Sequence, residues 1–233
     1  MTKINFTTFE EKTGIVFNEK RLLEKSFTHR SYINENPEIK TGHNERLEFL
    51  GDAVLELITT YHLFRLFPDK AEGELTAYRS ALVNAIIIAE VAQEIGMNEY
   101  LLLSKGESKD MGKARTYILA NTYEAYLGAV YIDQGYDVAK QFVLDTLLPK
   151  LDVIIKDKLW RDAKSLIQEK AQEHHSVTPS YTVMSESGPD HDKAFVVGVY
   201  FGKELVGTGK GKSKQEAEQA AARAAITEKG WLD

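Results

Sequence analysis

The sequence predicts a large all-helical domain followed by a smaller α+β domain, and three observations indicate this fold class. Apolar residues recur at steps of three and four through most of residues 1–150, which is typical of amphipathic helices. After Trp160 the apolar residues alternate with a period of two, which indicates strands. An alanine-rich run that ends at Thr227 then favours a final helix.

The helical pattern of the first part is clearest in three segments, residues 46–61, 75–95 and 118–132. In the first segment, the side that we expect to face the core carries Leu47, Leu50, Val54, Leu57, Ile58 and Tyr61. Prolines and glycines interrupt the pattern where loops are expected; they include Pro37, Pro68, Gly96, Gly106, Gly112 and Gly135. No convincing alternating strand occurs before residue 150, so we expect helices and loops there.

The second part predicts the order helix, strand, strand, strand, helix. The expected elements are a helix at 161–174, strands at 179–186, 194–201 and 204–209, and a last helix after Ser213. Ser213 and Glu216 form an S-x-x-E capping box, which marks a helix N-terminus. Residues 152–161 are expected to join the two parts as a helix end or a short linker. We therefore place the domains at 1–151 and 161–233, with a linker at 152–160.

Composition limits the classes of protein that this chain can represent. It has 233 residues, of which 43% are hydrophobic and 27% charged, as in ordinary globular proteins. The absence of cysteine excludes disulfides, thiolate metal sites and cysteine nucleophiles, and it is consistent with a reducing cytoplasm. No apolar run is long enough for a membrane span, and the polar N-terminus lacks the order of a signal peptide.

The net charge of −6 argues, as an average, against a nucleic-acid binder, but the charge is unevenly distributed. Residues 1–159 have a net charge of −5, whereas residues 160–233 have a net charge of −1. In the second part, Lys210, Lys212 and Lys214 occur within five residues with no acid between them. They form either a solvated helix cap or a phosphate-binding cluster. The second interpretation is favoured because a basic helix N-terminus is electrostatically unfavourable without an anion.

A run of acids in the first part is a candidate metal site. Glu45, Glu48, Asp52 and Glu56 are spaced three, four and four apart, which places them on one helix face. One interpretation is a solvated polar face. The other is a site for a divalent cation, which would relieve the mutual repulsion of the acids and prefers carboxylate oxygens. Phosphodiester hydrolysis can use such a cation to orient water and neutralise developing charge.

Asn121 and Glu124 share a face of another predicted helix. They represent either a hydrogen-bonded packing pair or a second part of the candidate site. Small residues nearby, Ala120, Ala125, Gly128 and Ala129, would let another helix approach closely. The adjacent His174 and His175 point apart on a helix, so a surface helix end is favoured over a metal pair. The chain has no H-E-x-x-H, Walker, G-x-S-x-G or strand-linked G-x-G-x-x-G motif, so we expect no nucleotide cofactor.

Several of these segments resemble bacterial ribonuclease III. Residues 44–52, N-E-R-L-E-F-L-G-D, resemble the signature of that family. Residues 26–32, 104–107 and 118–125 are similar to other segments of the family and occur in the same order. The resemblance covers nearly the whole chain. It implies an all-helical endonuclease domain that forms a homodimer, followed by an αβββα double-stranded RNA-binding domain.

The resemblance also implies roles for particular acids. Glu48, Asp52 and Glu124 match metal-binding carboxylates, with Asp52 and Glu124 catalytic and Glu124 the one most needed for chemistry. Glu45 and Glu72 match acids that line the same valley and contact RNA or the second subunit. The fourth metal position is Asn121, where most relatives carry Asp. An amide oxygen can ligate a hard cation but contributes no charge.

In the second domain, the resemblance implies contacts with the minor grooves and phosphates of double-stranded RNA. The first helix would present Ser165, Gln168, Glu169 and Gln172 to a minor groove. The turn that contains His191 would enter a second minor groove. The phosphate contacts would come from Lys210, Lys212 and Lys214.

The activity implied by the resemblance is hydrolysis of double-stranded RNA that depends on Mg²⁺, with Mn²⁺ as a substitute. The expected products carry 5′-phosphate and 3′-hydroxyl ends with short 3′ overhangs. The expected cellular substrates are ribosomal RNA precursors and structured messenger RNA, with roles in ribosomal, messenger and transfer RNA processing. Two alternatives differ in class. One is a double-stranded RNA-binding protein that has lost cleavage through Asn121. The other is a dimeric RNA scaffold whose acids only solvate a helix.

Overall fold

The computed structural model describes residues 4–109, 112–189 and 193–231. The chain divides into two compact units between Asp157 and Lys158. No single helix in the described residues is long and apolar enough to cross a membrane; the two short helices at Glu72–Leu82 and Ala85–Glu94 reach that length and hydropathy only together, across a bend of 48°.

The first unit consists of helices, as predicted. They are α1 (Thr7–Thr13), α2 (Lys20–Ser26), α3 (Arg30–Glu35), α4 (Glu45–Leu66), α5 (Glu72–Leu82), α6 (Ala85–Glu94), α7 (Lys113–Gln134), α8 (Tyr136–Thr146) and α9 (Lys150–Lys156), with 3₁₀ turns at Met97–Tyr100 and Glu107–Lys109. The described residues of this unit contain no strand, only an isolated bridge between Thr28 and Leu102. Helix α9 covers residues 152–156 of the expected linker, because Leu151 and Ile154 are buried.

Helices α4 and α7 cross in close contact at two glycines. A β-carbon on Gly51 would overlap the carbonyl oxygen of Glu124, and one on Gly128 would overlap the carbonyl oxygen of Leu47. Most of α7 is buried by its neighbours, so this helix forms the centre of the unit. The prediction that small residues on α7 admit another helix is confirmed at Gly128. The crossing brings the signature residues of α4 beside Glu124.

The prediction of which side of α4 faces the core is only partly correct. Leu47, Val54 and Ile58 are buried, but Leu57 is 58% exposed and Tyr61 51% exposed. The buried side includes Gly51, Leu55, Thr59 and Leu63 instead. Helix α4 carries apolar residues on two sides, so its periodicity could not show which side packs against α7.

The second unit has the predicted αβββα order. Its elements are α10 (Ala163–His175), β1 (Ser180–Ser187), β2 (Ala194–Phe201), β3 (Glu204–Gly211) and α11 (Lys214–Glu228). The strands form an antiparallel sheet in the order β1-β2-β3. Glycines 207, 209 and 211 alternate along β3 at points where a β-carbon would overlap α11. These glycines therefore let α11 lie directly on the sheet, around a core that also includes Ile167, Val199 and Ile226.

Contacts between residues close in sequence explain where the two helices begin, and sheet pairing explains where β3 ends. The Asp162 carboxylate accepts the Ser165 N–H at 2.8 Å and so caps α10. The Ser213 hydroxyl accepts the Glu216 N–H at 3.2 Å, which confirms the predicted cap of α11, while the Glu216 carboxylate accepts the Lys212 N–H. Strand β3 extends two residues beyond the prediction because Lys210 and Gly211 still pair with β2.

The two adjacent histidines lie at the C-terminal end of α10, as predicted. Their rings pack against aromatic neighbours: the His174 ring stacks on Trp231, with centroids 5.3 Å apart, and the His175 ring lies 5.5 Å from Phe201. The pair therefore belongs to a helix end that packs against Trp231 and Phe201.

Candidate active site and nucleic-acid interface

Three carboxylates from α4 and α7 form one electrostatic cluster, here called the acidic cluster: Glu48, Asp52 and Glu124. Burial, followed by the charges of Asp52 and Glu48, raises the pKa of Glu124 to about 7. Burial, followed by the charges of Glu45 and Asp52, also raises the pKa of Glu48. The two predicted helix faces therefore meet, and they meet as like charges partly removed from water.

Asn121 lies on the same open face of α7 as Glu124. The structure describes the stretch from Ile118 to Val130 completely, and all of its residues are buried except Asn121 and Glu124. The spacing of three places both side chains on the side where α4 contributes Glu48 and Asp52. The candidate site thus has three carboxylates and one amide.

Glu45 lies beside the acidic cluster but is partly neutralised. Its carboxylate oxygens lie 3.6 Å from Arg30 Nη1 and 3.6 Å from His43 Nδ1. Sequence reasoning assigned no role to Arg30 or His43, although Arg30 lies in a family-like segment and His43 directly precedes the signature. Arg30 can moderate the charge at the edge of the cluster.

Two other family-like segments also come together near Glu45. The Ser104 N–H donates to the Ser31 hydroxyl at 3.1 Å, and the Glu107 N–H donates to the Ser104 hydroxyl at 3.2 Å. His29 Nδ1 lies 2.8 Å from the same Ser31 hydroxyl, and burial lowers the pKa of His29 despite the opposing charges of Glu107 and Glu45. The loop after Ser104 is therefore tied to α3, close to Glu45.

Glu56 does not join the acidic cluster. Its carboxylate pairs with Arg79 Nη1 at 3.2 Å, and the same guanidinium donates to Thr60 at 2.9 Å. The predicted stripe of four acids therefore divides after Asp52. For Glu56, a solvated polar face is therefore a better description than a cation site, although an arginine from α5 pairs with it.

Glu72 lies near the opposite end of α4 within one chain. It begins α5, is exposed, and accepts a hydrogen bond from the Thr76 hydroxyl at 3.0 Å. It also lines a pocket of about 460 Å³ whose other lining residues are Thr60, Leu63, Phe64, Phe67, Pro68, Lys70, Leu75, Thr76 and Arg79. From Asp52 to Thr60 the helix rises about 12 Å. Within a single chain, Glu72 therefore lies far from the acidic cluster.

The candidate site fits a divalent cation by its donor chemistry. Glu48, Asp52, Glu124 and Asn121 offer only carboxylate and amide oxygens, which hard cations prefer. The raised pKa of Glu124 shows that its ionised form is disfavoured there, first by burial and then by the neighbouring negative charges. Among the described residues, however, no group of three or more histidine, aspartate or glutamate side chains is arranged so that it could hold a metal ion as it stands.

The predicted RNA-contacting residues of the second unit lie in two places, on α10 and around the start of α11. The four residues predicted on α10 are all exposed on one face: Ser165, Gln168, Glu169 and Gln172. The three predicted lysines are exposed at the end of β3 and the start of α11: Lys210, Lys212 and Lys214. His191 lies outside the described residues. The exposed face and the lysines provide polar and cationic groups over an extended surface.

Comparison with known proteins gives the family. The sequence profile described as "Ribonuclease-III-like" matches residues 19–151, and that of the "Double-stranded RNA binding motif" matches residues 163–229. The chain is 44% identical over 221 residues to "Ribonuclease 3" of Enterococcus faecalis, which covers 94% of this chain and 95% of that protein. It is also 44% identical over 226 residues to "Ribonuclease 3" of Carboxydothermus hydrogenoformans, which covers 97% and 96%.

A solved structure agrees for the first unit. The nuclease domain of ribonuclease III from Campylobacter jejuni aligns with a TM-score of 0.57 and 36% identity, covering 62% of this chain and 97% of that one. That structure concerns flexibility in a region involved in dimer formation of the Campylobacter domain. The two units of our chain are thus a helical nuclease domain and a double-stranded RNA-binding domain. The chain belongs to the ribonuclease III family of double-stranded RNA-specific endoribonucleases, which generally use a divalent metal ion.

Proposed function

We propose that this chain hydrolyses the phosphodiester backbone of double-stranded RNA with Mg²⁺ at the acidic cluster, and that Mn²⁺ can substitute. The observation that carries the proposal is the convergence of Glu48, Asp52 and Glu124, where burial and then the charges of Asp52 and Glu48 raise the pKa of Glu124 to about 7. Asn121 would supply the fourth protein ligand. When bound, the cation would polarise the phosphate and lower the pKa of a water nucleophile.

The residues of the chain have defined tasks in this proposal. Glu124 holds a proton near neutral pH when no cation is present, and a cation favours its ionised form. Glu48 and Asp52 fix the α4 side of the site, and the crossing at Gly51 fixes their position relative to Glu124. Asp52 and Glu124 are the proposed catalytic residues. Arg30 limits the repulsion that Glu45 would otherwise add.

The second unit would bind the RNA duplex by its shape. The exposed polar face of α10 can reach 2′-hydroxyl groups in a minor groove, and His191 would reach a second minor groove. The lysines near α11 would contact phosphates between the two grooves. These contacts carry little sequence information, so the position of cleavage would depend on the structure of the duplex.

We also propose that two copies form a homodimer through the exposed side of α4. Phe49 is 81% exposed, and Leu57, Tyr61 and Phe64 are exposed further along the same helix. The pocket beside Phe64 offers a largely apolar socket on the same chain. In a two-fold dimer each copy would insert Phe49 into the pocket of the other.

This dimer would also explain the position of Glu72. Phe49 directly follows Glu48, and Glu72 lines the proposed socket for Phe49. Docking would therefore bring Glu72 beside the partner's Glu48, and the expected valley would be completed by two chains. Two such sites, one for each RNA strand, would leave 5′-phosphate and 3′-hydroxyl ends with short 3′ overhangs. We place this activity in the cytoplasm, in the processing of ribosomal, messenger and transfer RNA.

Incubation of the full chain with a long RNA duplex and Mg²⁺ tests the proposal. We expect fragments from the unsubstituted chain, none from Glu124→Gln, and normal fragments from Glu11→Gln, an exposed acid on α1. An intact but shifted duplex would favour the alternative suggested by Asn121, a binding protein without cleavage. An intact and unshifted duplex would contradict both functions.

Sedimentation tests the dimer. Phe49→Asp would place a charge in an apolar socket, so we expect a monomer, while Val16→Asp, at another exposed apolar position, should remain dimeric. A dimeric Phe49→Asp variant would mean that the chains associate through a different surface.

A further inference from the structure

The open face of α7 continues beyond the candidate active site. Going from Glu124 towards the N-terminus of the helix, the next residues on this face are Asn121, Tyr117 and Lys113, spaced three, four and four apart. Tyr117 is 50% exposed, and Lys113 is also exposed. We call these four residues the α7 strip. It is a continuous row of polar and aromatic groups on a helix whose middle, from Ile118 to Val130, is buried apart from Asn121 and Glu124.

Lys113 and Tyr117 form a pair within the strip. The Lys113 ammonium lies 6.0 Å from the centroid of the Tyr117 ring, which is the outer range of a cation–π contact. One exposed tyrosine is ordinary on a protein surface. A tyrosine paired with a lysine, one helical turn from the amide of a candidate metal site, has a more specific composition. It offers an ammonium, a phenolic hydroxyl and an aromatic face.

The position of the pair follows from the helix crossing. Helix α4 crosses α7 at Glu124 and Gly128, so the acids of α4 lie near the Glu124 end of the strip. Tyr117 and Lys113 extend in the opposite direction, and their backbone positions lie about 6 Å and 12 Å from that of Asn121 along the helix. A nucleic-acid strand that passes the acidic cluster and follows the strip would meet Tyr117 first and Lys113 next.

We propose that Tyr117 and Lys113 bind the ribose–phosphate backbone of the cleaved RNA strand next to the scissile phosphate. The ammonium would pair with a phosphate, and the phenol would donate to a phosphate or a 2′-hydroxyl while its ring packs against the sugar. The pair would also place attraction beside a cluster that would otherwise repel RNA. This inference rests on the proposed function, because it needs the scissile phosphate at the acidic cluster.

Cleavage kinetics of the full chain on a short RNA duplex at saturating Mg²⁺ test the inference. For Tyr117→Ala we expect KM to rise about tenfold with little change in kcat, because the lost contact binds substrate and transition state alike. Tyr117→Phe keeps the ring and should recover most of this loss. For Lys113→Gln, a plot of log(kcat/KM) against log salt concentration should become shallower by about one unit.

Matched controls separate contact with RNA from a structural role. Tyr131→Ala changes an exposed tyrosine at the far end of α7, and Lys156→Gln changes an exposed lysine of α9; both should retain the constants of the unsubstituted chain. Equal KM values for Tyr117→Ala and Tyr131→Ala, or an unchanged salt slope for Lys113→Gln, would overturn the inference. If Tyr117→Ala does not fold, the Lys113→Gln slope decides alone.

Failure of this inference can be distinguished from failure of the proposed function. A full chain that never cuts the duplex would contradict the proposed function. Equilibrium binding of the same duplex across a salt series would then test the strip by itself, with Lys113→Gln compared with Lys156→Gln. Identical slopes in that comparison would overturn the inference as well.

Discussion

The two units use their polar residues in opposite ways. In the nuclease unit, the acids that matter come from two helices and gather at one point: Glu48 and Glu124 are partly buried, and burial together with neighbouring charges raises the pKa of both. In the RNA-binding unit, the predicted contact residues that the structure describes are exposed along α10 and around the start of α11. Catalysis requires charge concentrated at one point, whereas recognition of duplex shape requires contacts spread over a surface. A change in the first unit should therefore be severe and specific, and a change in the second should be graded.

The largest expected effect that tests this contrast is at Glu124. Glu124→Gln removes a charged ligand at the point of convergence, which should cost several kcal/mol of transition-state stabilisation. That corresponds to a loss of cleavage of about a thousandfold or more. Duplex binding should be nearly unchanged, since most contacts belong to the other unit. Single-turnover cleavage measures the rate of the variant, and a gel-shift titration measures its affinity for the duplex. If both fell together, cleavage and duplex binding would not be divided between the two units.

Separating the units should give the next largest effect. A chain that ends at Asp157 keeps every residue of the acidic cluster and the exposed side of α4. It should remain a folded dimer that cuts duplex RNA at high enzyme and Mg²⁺ concentrations, with binding weakened about a hundredfold through lost phosphate contacts. Sedimentation and cleavage assays check both parts. A truncated chain that is folded but inactive at any Mg²⁺ concentration would show that the second unit contributes to chemistry.

The burial of Glu124, together with the charges of the other two acids, should also make the apoprotein less stable. The folded-state pKa of Glu124, about 7, lies above its ordinary value of 4.5, so between these pH values the folded state binds more protons than the unfolded state. Stability should therefore fall as pH rises from about 4.5 to 7 and remain low above that range. Glu124→Gln removes the part of this dependence that belongs to Glu124, while Glu48, whose pKa is also raised, keeps its own part. The variant should be more stable at pH 8 by about 1 to 3 kcal/mol in the absence of divalent cations.

Urea unfolding of both proteins at pH 5 and pH 8, with EDTA and with Mg²⁺, checks this prediction. The advantage of Glu124→Gln should be small at pH 5, larger at pH 8 with EDTA, and reduced again by Mg²⁺. An equal difference in stability at both pH values would mean that Glu124 ionises normally in the folded protein.

The same contrast explains how far the sequence could predict this molecule. The helix and strand order followed from periodicity, and the cap at Ser213 followed from its local motif, because such signals act within a few residues. The partners of individual acids did not follow. Nothing in the spacing of α4 shows that Arg79 neutralises Glu56, since Arg79 comes from another helix. The spacing also cannot show that Leu57 faces outward while Leu55 is buried. Those outcomes depend on tertiary contacts and, in our proposal, on a second chain.

Asn121 offers a smaller change that sharpens the description of the acidic cluster. Asn121→Asp would add a fourth negative charge to the site, and affinity for a hard cation rises with ligand charge. Half-maximal cleavage should then require about tenfold less Mg²⁺, equivalent to roughly 1.4 kcal/mol. The maximal rate should change less, because saturating Mg²⁺ compensates for weak binding. A Mg²⁺ titration of cleavage measures the shift, and superimposable curves would place position 121 away from the cation.

The smallest expected effect lies in the RNA-binding unit, where contacts are spread out. Replacing Lys212 and Lys214 with Ala removes roughly two phosphate contacts, so a log–log plot of duplex affinity against salt should flatten by about 1 to 2 units. Affinity at moderate salt should fall only a few-fold, equally for different duplex sequences, because phosphates carry no base identity. Lys203→Ala, in the turn between β2 and β3, serves as a control on the same unit and should keep the original slope. If the double variant also keeps that slope, the lysines are a solvated cap of α11, and the duplex must be held mainly through the exposed face of α10.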